Sequence, residues 1–145
     1  MKKYSINTNY KYHSKNPISR YLVNNFNKQI KIIIQQISFN SLLDAGCGEG
    51  ITLKILENEL REKECTGVDL DKKHIEMSEV NAPYCKYMLG NIYNLPFTSS
   101  SFDVTLCLEV LEHLENPEKA ISELHKISAK YVVISAPREP IWRIL

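Results

Sequence analysis

Residues 42–51 read LLDAGCGEGI: two apolar residues and an aspartate, with glycines following at 46, 48 and 50. A chain that turns sharply out of a strand and lets a ligand approach its backbone needs residues without a Cβ, and alternate glycines supply them. The helical pattern that follows would aim unpaired N–H groups back at the same spot. The segment therefore specifies a strand, a tight turn and a helix, with a nucleotide-like ligand as the best match for the turn.

Spacing separates two ligand classes. A dinucleotide fingerprint G-x-G-x-x-G built on Gly46 and Gly48 needs its third glycine at 51, where the chain has Ile51. The chain instead has Asp44 and Gly50, and the resulting D-x-G-x-G-x-G resembles motif I of class I S-adenosylmethionine (SAM)-dependent methyltransferases. That resemblance implies that Asp44, Gly46, Cys47, Gly48, Glu49 and Gly50 line a SAM site. Asp69 lies 19 positions after Gly50, at the end of the short apolar run in ECTGVDLD. A carboxylate there can accept charge-assisted bonds from both hydroxyls of a ribose. In the family this acid holds the SAM ribose, and Leu70 lies beside it. The alternative for Asp69 is a strand-end turn residue with no ligand. Asp71 suits the N-cap of a helix over 72–81.

Two further segments resemble the same family. GNIYNLPF, after a third strand expected at 84–88, is similar to the adenine-contacting loop G-D-[AI]-x-x-L-P-F, with Asn91 where aspartate is common. Asn91 keeps a carbonyl acceptor without the charge, so binding should weaken and not vanish, and Ile92 would lie against the adenine. SFDVTLCLEVLEHL contains an almost continuous apolar run, 102–108, as expected of a strand buried on both faces of a parallel sheet. The resemblance places the methionine part of SAM at Leu108 and Glu109. Glu109, Glu112 and His113 resemble a magnesium-binding E-x-x-E-H arrangement of ubiquinone-biosynthesis O-methyltransferases. His113 is an awkward ligand for a hard cation, so no metal is assigned. A structural role is the favoured reading of the trio, and His113 is also a candidate general base.

The remaining sequence bounds the class. A chain of 145 residues, 43% apolar and 24% charged, has the composition of one globular domain and has no apolar run long enough for a membrane span. MKKYSINTNY leads into polar residues, unlike a secretory signal. Cys47, Cys65, Cys85 and Cys107 match no zinc spacing, and small buried thiols in a reducing cytoplasm are the expectation. Residues 1–43 carry seven basic residues and no acid, a charge of +7 against −6 for the rest. This basic segment either attracts an anionic or membrane-bound acceptor or forms a solvated helix face that complements the acidic body. It carries no specific nucleic-acid signal.

Strand and helix signals alternate, which implies an α/β, Rossmann-like, doubly wound parallel sheet. Asn16-Pro17 starts a helix with Ile18, Leu22, Phe26, Ile30, Ile33 and Ile37 on one face. Residues 1–40 form a basic segment and helix ahead of a SAM-binding domain, 41–145. Leu53, Leu56 and Leu60 mark the helix after the glycines. Asn116-Pro117 starts another, with Ala120, Ile121, Leu124 and Ile127 as its stripe, and KYVVISA (130–136) is a fifth strand. Complete class I methyltransferase sheets have seven strands. Pro137 to Leu145 is too short for two more, so the resemblance implies a C-terminally incomplete domain in the order 3-2-1-4-5. Its fifth strand, with Val132, Val133 and Ile134, would be an edge suited to self-association. The segment Pro137-Arg138-Glu139-Pro140 resembles quinone- and lipid-type methylases.

The expected activity is transfer of the SAM sulfonium methyl group to a small-molecule acceptor. A SAM-binding protein without catalysis is the first alternative, motivated by Asn91 and the short C-terminus. A nicotinamide-dependent oxidoreductase is the second, and Ile51 argues against it.

Overall fold

The computed structural model describes residues 16–135. The chain divides between Ser38 and Phe39 into two compact units. The first contributes helix α1, Pro17–Gln36. Asn16 caps it, its side chain accepting from the Ile18 N–H at 2.9 Å, and Pro17 follows at the first helical position. The buried residues of α1 are Ile30 and Ile34, whereas Ile18, Leu22 and Ile33 are exposed. The expected stripe therefore holds at Ile30, and the next buried position is Ile34, a full four-residue step on, instead of Ile33.

The second unit runs β1 (Ser41–Ala45), α2 (Ile51–Ile55), α3 (Glu57–Leu60), β2 (Glu64–Asp69), α4 (Lys72–Asn81), β3 (Lys86–Leu89), β4 (Phe102–Leu108), a 3-10 turn (Leu111–His113), α5 (Pro117–Ile127) and β5 (Ser128–Ser135). The strands form one parallel sheet, as the alternating pattern implies, in the order β3-β2-β1-β4-β5 that the methyltransferase resemblance implies. At its centre Leu42, Leu43, Val104, Thr105, Leu106 and Cys107 are buried, which accounts for their unbroken apolar run. Thr105 is the polar exception, and the Ser128 hydroxyl donates to its Oγ1 at 2.6 Å.

Several expectations need correction. The helix after the glycines breaks at Leu56 into two short pieces, although Leu53, Leu56 and Leu60 are all buried. β3 begins at Lys86 because the Cys85 N–H is used in the preceding turn, donating to the Ala82 carbonyl at 3.2 Å. β5 starts two residues early, at Ser128, and Ile121 in the α5 stripe is exposed. Ala136 and Pro137 to Leu145 lie outside the described residues, as do Lys2, Lys3, Lys11 and Lys15.

The cysteines depart furthest from expectation. Cys47 and Cys107 are buried free thiols, but Cys65 and Cys85 form a disulfide with Cα atoms 4.7 Å apart. Parallel pairing of β2 with β3 brings the two chains side by side where both strands begin. No spacing rule signals such a bond from 20 residues of separation. Cys65 and Cys85 thus depart from the expectation of four buried reduced thiols, which Cys47 and Cys107 meet.

Candidate functional site

Asp44, Gly46 to Gly50 and Asp69 meet at the carboxyl ends of β1 and β2, where ligands of open parallel sheets bind. All three glycines have positive φ, at +86°, +53° and +75°, but they do different work. A Cβ on Gly46 would fall 2.5 Å from Val110 Cγ2, and one on Gly50 would lie 3.0 Å from Ser78 of α4. A Cβ on Gly48 would meet nothing within 4 Å. Gly46 and Gly50 are thus required by packing within the protein, and Gly48 alone faces open space.

The backbone of the turn is largely occupied by its own chain. The N–H groups of Gly46 and Cys47 donate to the Val68 carbonyl at 2.7 and 3.0 Å, and Gly50 donates to Cys47 at 3.0 Å. The Gly48 N–H donates to Asp69 Oδ2 at 2.9 Å. Four of the five N–H groups of residues 46–50 are thereby used within the chain. The carbonyls are held as well: Ser78 Oγ donates to Gly48 O at 2.7 Å and Asn81 Nδ2 to Glu49 O at 2.8 Å.

Asp69 is the hub of the site. Besides Gly48, its carboxylate accepts from the Asp71 N–H at 2.9 Å and lies 3.1 Å from His74 Nδ1. Leu70 beside it is 69% exposed, an apolar surface at the mouth of the site. The Asp44 carboxyl is buried at the end of β1, and burial, then the charge of Asp69, pushes it up to about 7. The same causes, burial first and then Asp44 and Asp69, push the Cys47 thiol up, so it remains a protonated neighbour and not a nucleophile.

His74, Ser78 and Asn81 were missed by motif reading. Their spacing is i, i+4, i+7 on a helix whose start at Asp71 the sequence shows, which puts them on one face. A polar stripe of that kind, next to a glycine turn that needs its carbonyls satisfied, was the signal to follow.

The other anticipated residues are placed unevenly. Gly90 N–H donates to the Asp69 carbonyl at 3.0 Å, which brings the loop after β3 to the site. Asn91 is exposed and its Oδ1 accepts from Tyr93 N–H at 3.0 Å, so it shapes its own turn. The Ile92 side chain is buried with Leu43, Val68 and Leu95, which leaves its backbone N–H as the group it could offer a ligand.

Leu108 ends β4, and Glu109 follows with φ +57°, a left-handed conformation unusual for a residue with a Cβ. The Ser135 hydroxyl holds it there, accepting from Glu109 N–H at 2.8 Å and donating to its Oε1 at 3.1 Å. Glu112 and His113 face each other at 3.6 Å on the 3-10 turn. Among the described residues no group of three histidines, cysteines or acids is placed to hold a metal ion, so Glu109 does not join this pair.

Residues 43–131 match the family described as methyltransferase domain, and the chain belongs to that family. It is 33% identical over 98 residues to an uncharacterized methyltransferase of Schizosaccharomyces pombe, covering 60% of this chain and 35% of that protein. It is 31% identical over 102 residues to the ubiquinone biosynthesis O-methyltransferase of Coxiella burnetii, covering 64% and 42%. The chain thus spans less than half the length of these relatives. Among solved structures it resembles magnesium protoporphyrin IX methyltransferase from Synechocystis with bound SAH, at a TM-score of 0.73 and 17% identity, covering 94% and 68%. That likeness shows a shared fold.

Proposed function

We propose that this chain carries the cofactor half of a SAM-dependent methyltransferase acting on a small-molecule acceptor. The observation that carries the reading is the pairing of Gly48 and Asp69: a tight turn with one open face, joined by a hydrogen bond to a carboxylate that can accept from ribose hydroxyls. The space beside Gly48 and the exposed Leu70 fit a nucleoside. When bound, SAM would supply an electrophilic methyl group. The chain's own residues would bind and orient: Asp69 accepts from the ribose, Asp44 and Gly46 to Gly50 form the floor, and Leu108 and Glu109 flank the methionine end. Asn91 and Leu70 would border the adenine. His113, with Glu112 beside it, is the candidate base for a proton on the acceptor. Alignment of two reactants is the main contribution required, and it can be worth roughly 7–11 kcal/mol.

The acceptor class draws support from relatives named for small molecules, among them norajmaline and demethylmenaquinone methyltransferases. No helix among the described residues is long and apolar enough to cross a membrane. A cytoplasmic location belongs to the same proposal. So does self-association along β5, where Tyr131 and Ile134 are exposed and pairing among the described residues is with β4 alone. SAM binding without turnover is the second reading, favoured by Asn91, an uncharged residue where aspartate is common.

Titration with SAM, S-adenosylhomocysteine and NAD tests the proposal. Micromolar binding of the first two, weakened about tenfold or more in Asp69→Ala, is expected because bonds to a charged group contribute roughly 1.5–3 kcal/mol. Binding of NAD alone, or affinity indifferent to Asp69→Ala, would refute it. Tritium transfer from labelled SAM to a cell extract then separates turnover from binding.

A further inference from the structure

Asp69 already accepts three hydrogen bonds from its own chain. Oδ2 takes the Gly48 N–H at 2.9 Å, while Oδ1 takes the Asp71 N–H at 2.9 Å and the His74 Nδ1 donor at 3.1 Å. An ionised carboxylate offers about four acceptor positions and no donor. The shared proton therefore sits on Nδ1, and one position, on Oδ2, remains open. A ribose that placed both hydroxyls on this carboxylate would need two.

Of the three donors, two are backbone groups that cannot yield. Gly48 is fixed by the Ser78 hydroxyl on its carbonyl, and Asp71 is the N-cap of α4, with its side chain accepting from Lys73 N–H at 2.8 Å. α4 itself is clamped to the turn through Ser78 and Asn81, so the helix does not carry His74 away. The His74 side chain is 23% exposed and turns about its own single bonds.

We propose that His74 is a specificity-determining residue that sets how many ribose hydroxyls Asp69 reads. With the imidazole in place the carboxylate accepts one hydroxyl, on Oδ2; the second is read only when the imidazole swings off Oδ1. His74 acts through Asp69, and the inference rests on the SAM-site reading above.

Calorimetric titration with S-adenosylhomocysteine and its 2′-deoxy and 3′-deoxy analogues tests this on the full chain. Wild type should lose about tenfold or more with one analogue and stay within about twofold with the other. His74→Ala should bind S-adenosylhomocysteine more tightly, by about tenfold, and lose affinity with both analogues. His74→Asn, whose side-chain N–H can stand in for Nδ1, should behave as wild type. Thermal unfolding of each variant guards against a folding defect, and the two analogues on wild type are decisive without any variant. Equal losses with both analogues on wild type, or weaker binding by a folded His74→Ala, would overturn the inference alone. Failure of wild type and His74→Ala to bind S-adenosylhomocysteine at all would remove the SAM-site reading and this inference together.

Discussion

Replacing Gly46 and Gly48 by alanine should damage different properties, although the two glycines are two residues apart and both have positive φ. At Gly48 the φ of +53° lies inside the left-handed well that an L-residue can occupy, and a Cβ would have nothing within 4 Å. Gly48→Ala should therefore cost about 1 kcal/mol of stability. At Gly46 the φ of +86° lies beyond that well, and the Cβ would stand 2.5 Å from Val110 Cγ2. Left-handed strain of roughly 1–2 kcal/mol and overpacking of roughly 1–3 kcal/mol add to about 2–5 kcal/mol. At about 2–4 °C per kcal/mol for a domain of this size, Gly46→Ala should lower Tm by roughly 5–20 °C, and Gly48→Ala by a few degrees. Affinity should reverse the order: the new methyl at 48 occupies the open face, and a loss of about 1–3 kcal/mol there is roughly 5- to 150-fold in Kd for S-adenosylhomocysteine. Differential scanning fluorimetry and calorimetric titration read the two quantities. A double-mutant cycle isolates the cause, since Val110→Ala removes the clashing methyls and should recover about 1 kcal/mol or more of the Gly46→Ala penalty. Equal Tm losses for the two glycine variants, or no recovery with Val110→Ala, would refute the packing assignment. Unchanged affinity in Gly48→Ala would refute the open face as the ligand's place.

Removing the Cys65–Cys85 disulfide, by reduction or by serine at both positions, should destabilise the chain by about 3 kcal/mol, the loop-closure value for 20 residues. Urea midpoints with and without reductant measure this, and an unchanged midpoint would show that the bond constrains nothing. The Asp44 carboxyl, raised from 3.8 to about 7 in the fold, favours the protonated folded form, so its contribution to stability declines as pH rises from 3.8 to about 7 and is level above. A cationic ligand beside it favours the ionised form, so SAM affinity should rise with pH through about 7 and the profile should flatten in Asp44→Asn; a profile identical in both would refute the coupling.

What the sequence made legible follows from the range of the interactions. The caps at Asn16, Asp71 and Asn116, the bounds of α4 and β4 and the glycine turn are set by residues within a few positions of one another, and the structure holds them as expected. The parallel sheet follows from the alternation of strand and helix signals, while its order 3-2-1-4-5 was legible through the resemblance of the motifs to class I methyltransferases. The disulfide, and the Tyr84 hydroxyl bond to the Leu53 carbonyl beside the break at Leu56, join groups 20 or more residues apart. At the site the motif named Asp69, but not the three donors already bonded to it. The polar stripe of His74, Ser78 and Asn81 gains meaning once α4 is known to lie against the glycine turn, which is a tertiary fact.

The two ends of the sheet divide the work. At the amino ends lie devices that tie strands to one another: the Cys65–Cys85 bond, Lys63 donating to the Phe39 carbonyl at 2.6 Å, and Asp103 bridging three segments. Asp103 accepts from Asn40 N–H at 2.7 Å and pairs with Lys130 at 3.2 Å, while its own N–H donates to Ser41 Oγ at 2.9 Å. The Asn40 bond, with Lys130 beside it, holds the Asp103 carboxyl below the usual carboxylate range. At the carboxyl ends the polar bonds run from α4 and β5 to Gly48, Glu49, Asp69 and Glu109, the groups that would meet a ligand. Gly46 crosses this division, since a residue at the ligand end is held to glycine by Val110 and not by the ligand. A glycine in a binding motif is therefore evidence of a tight turn first, and of contact with the ligand only where, as at Gly48, its missing Cβ faces open space.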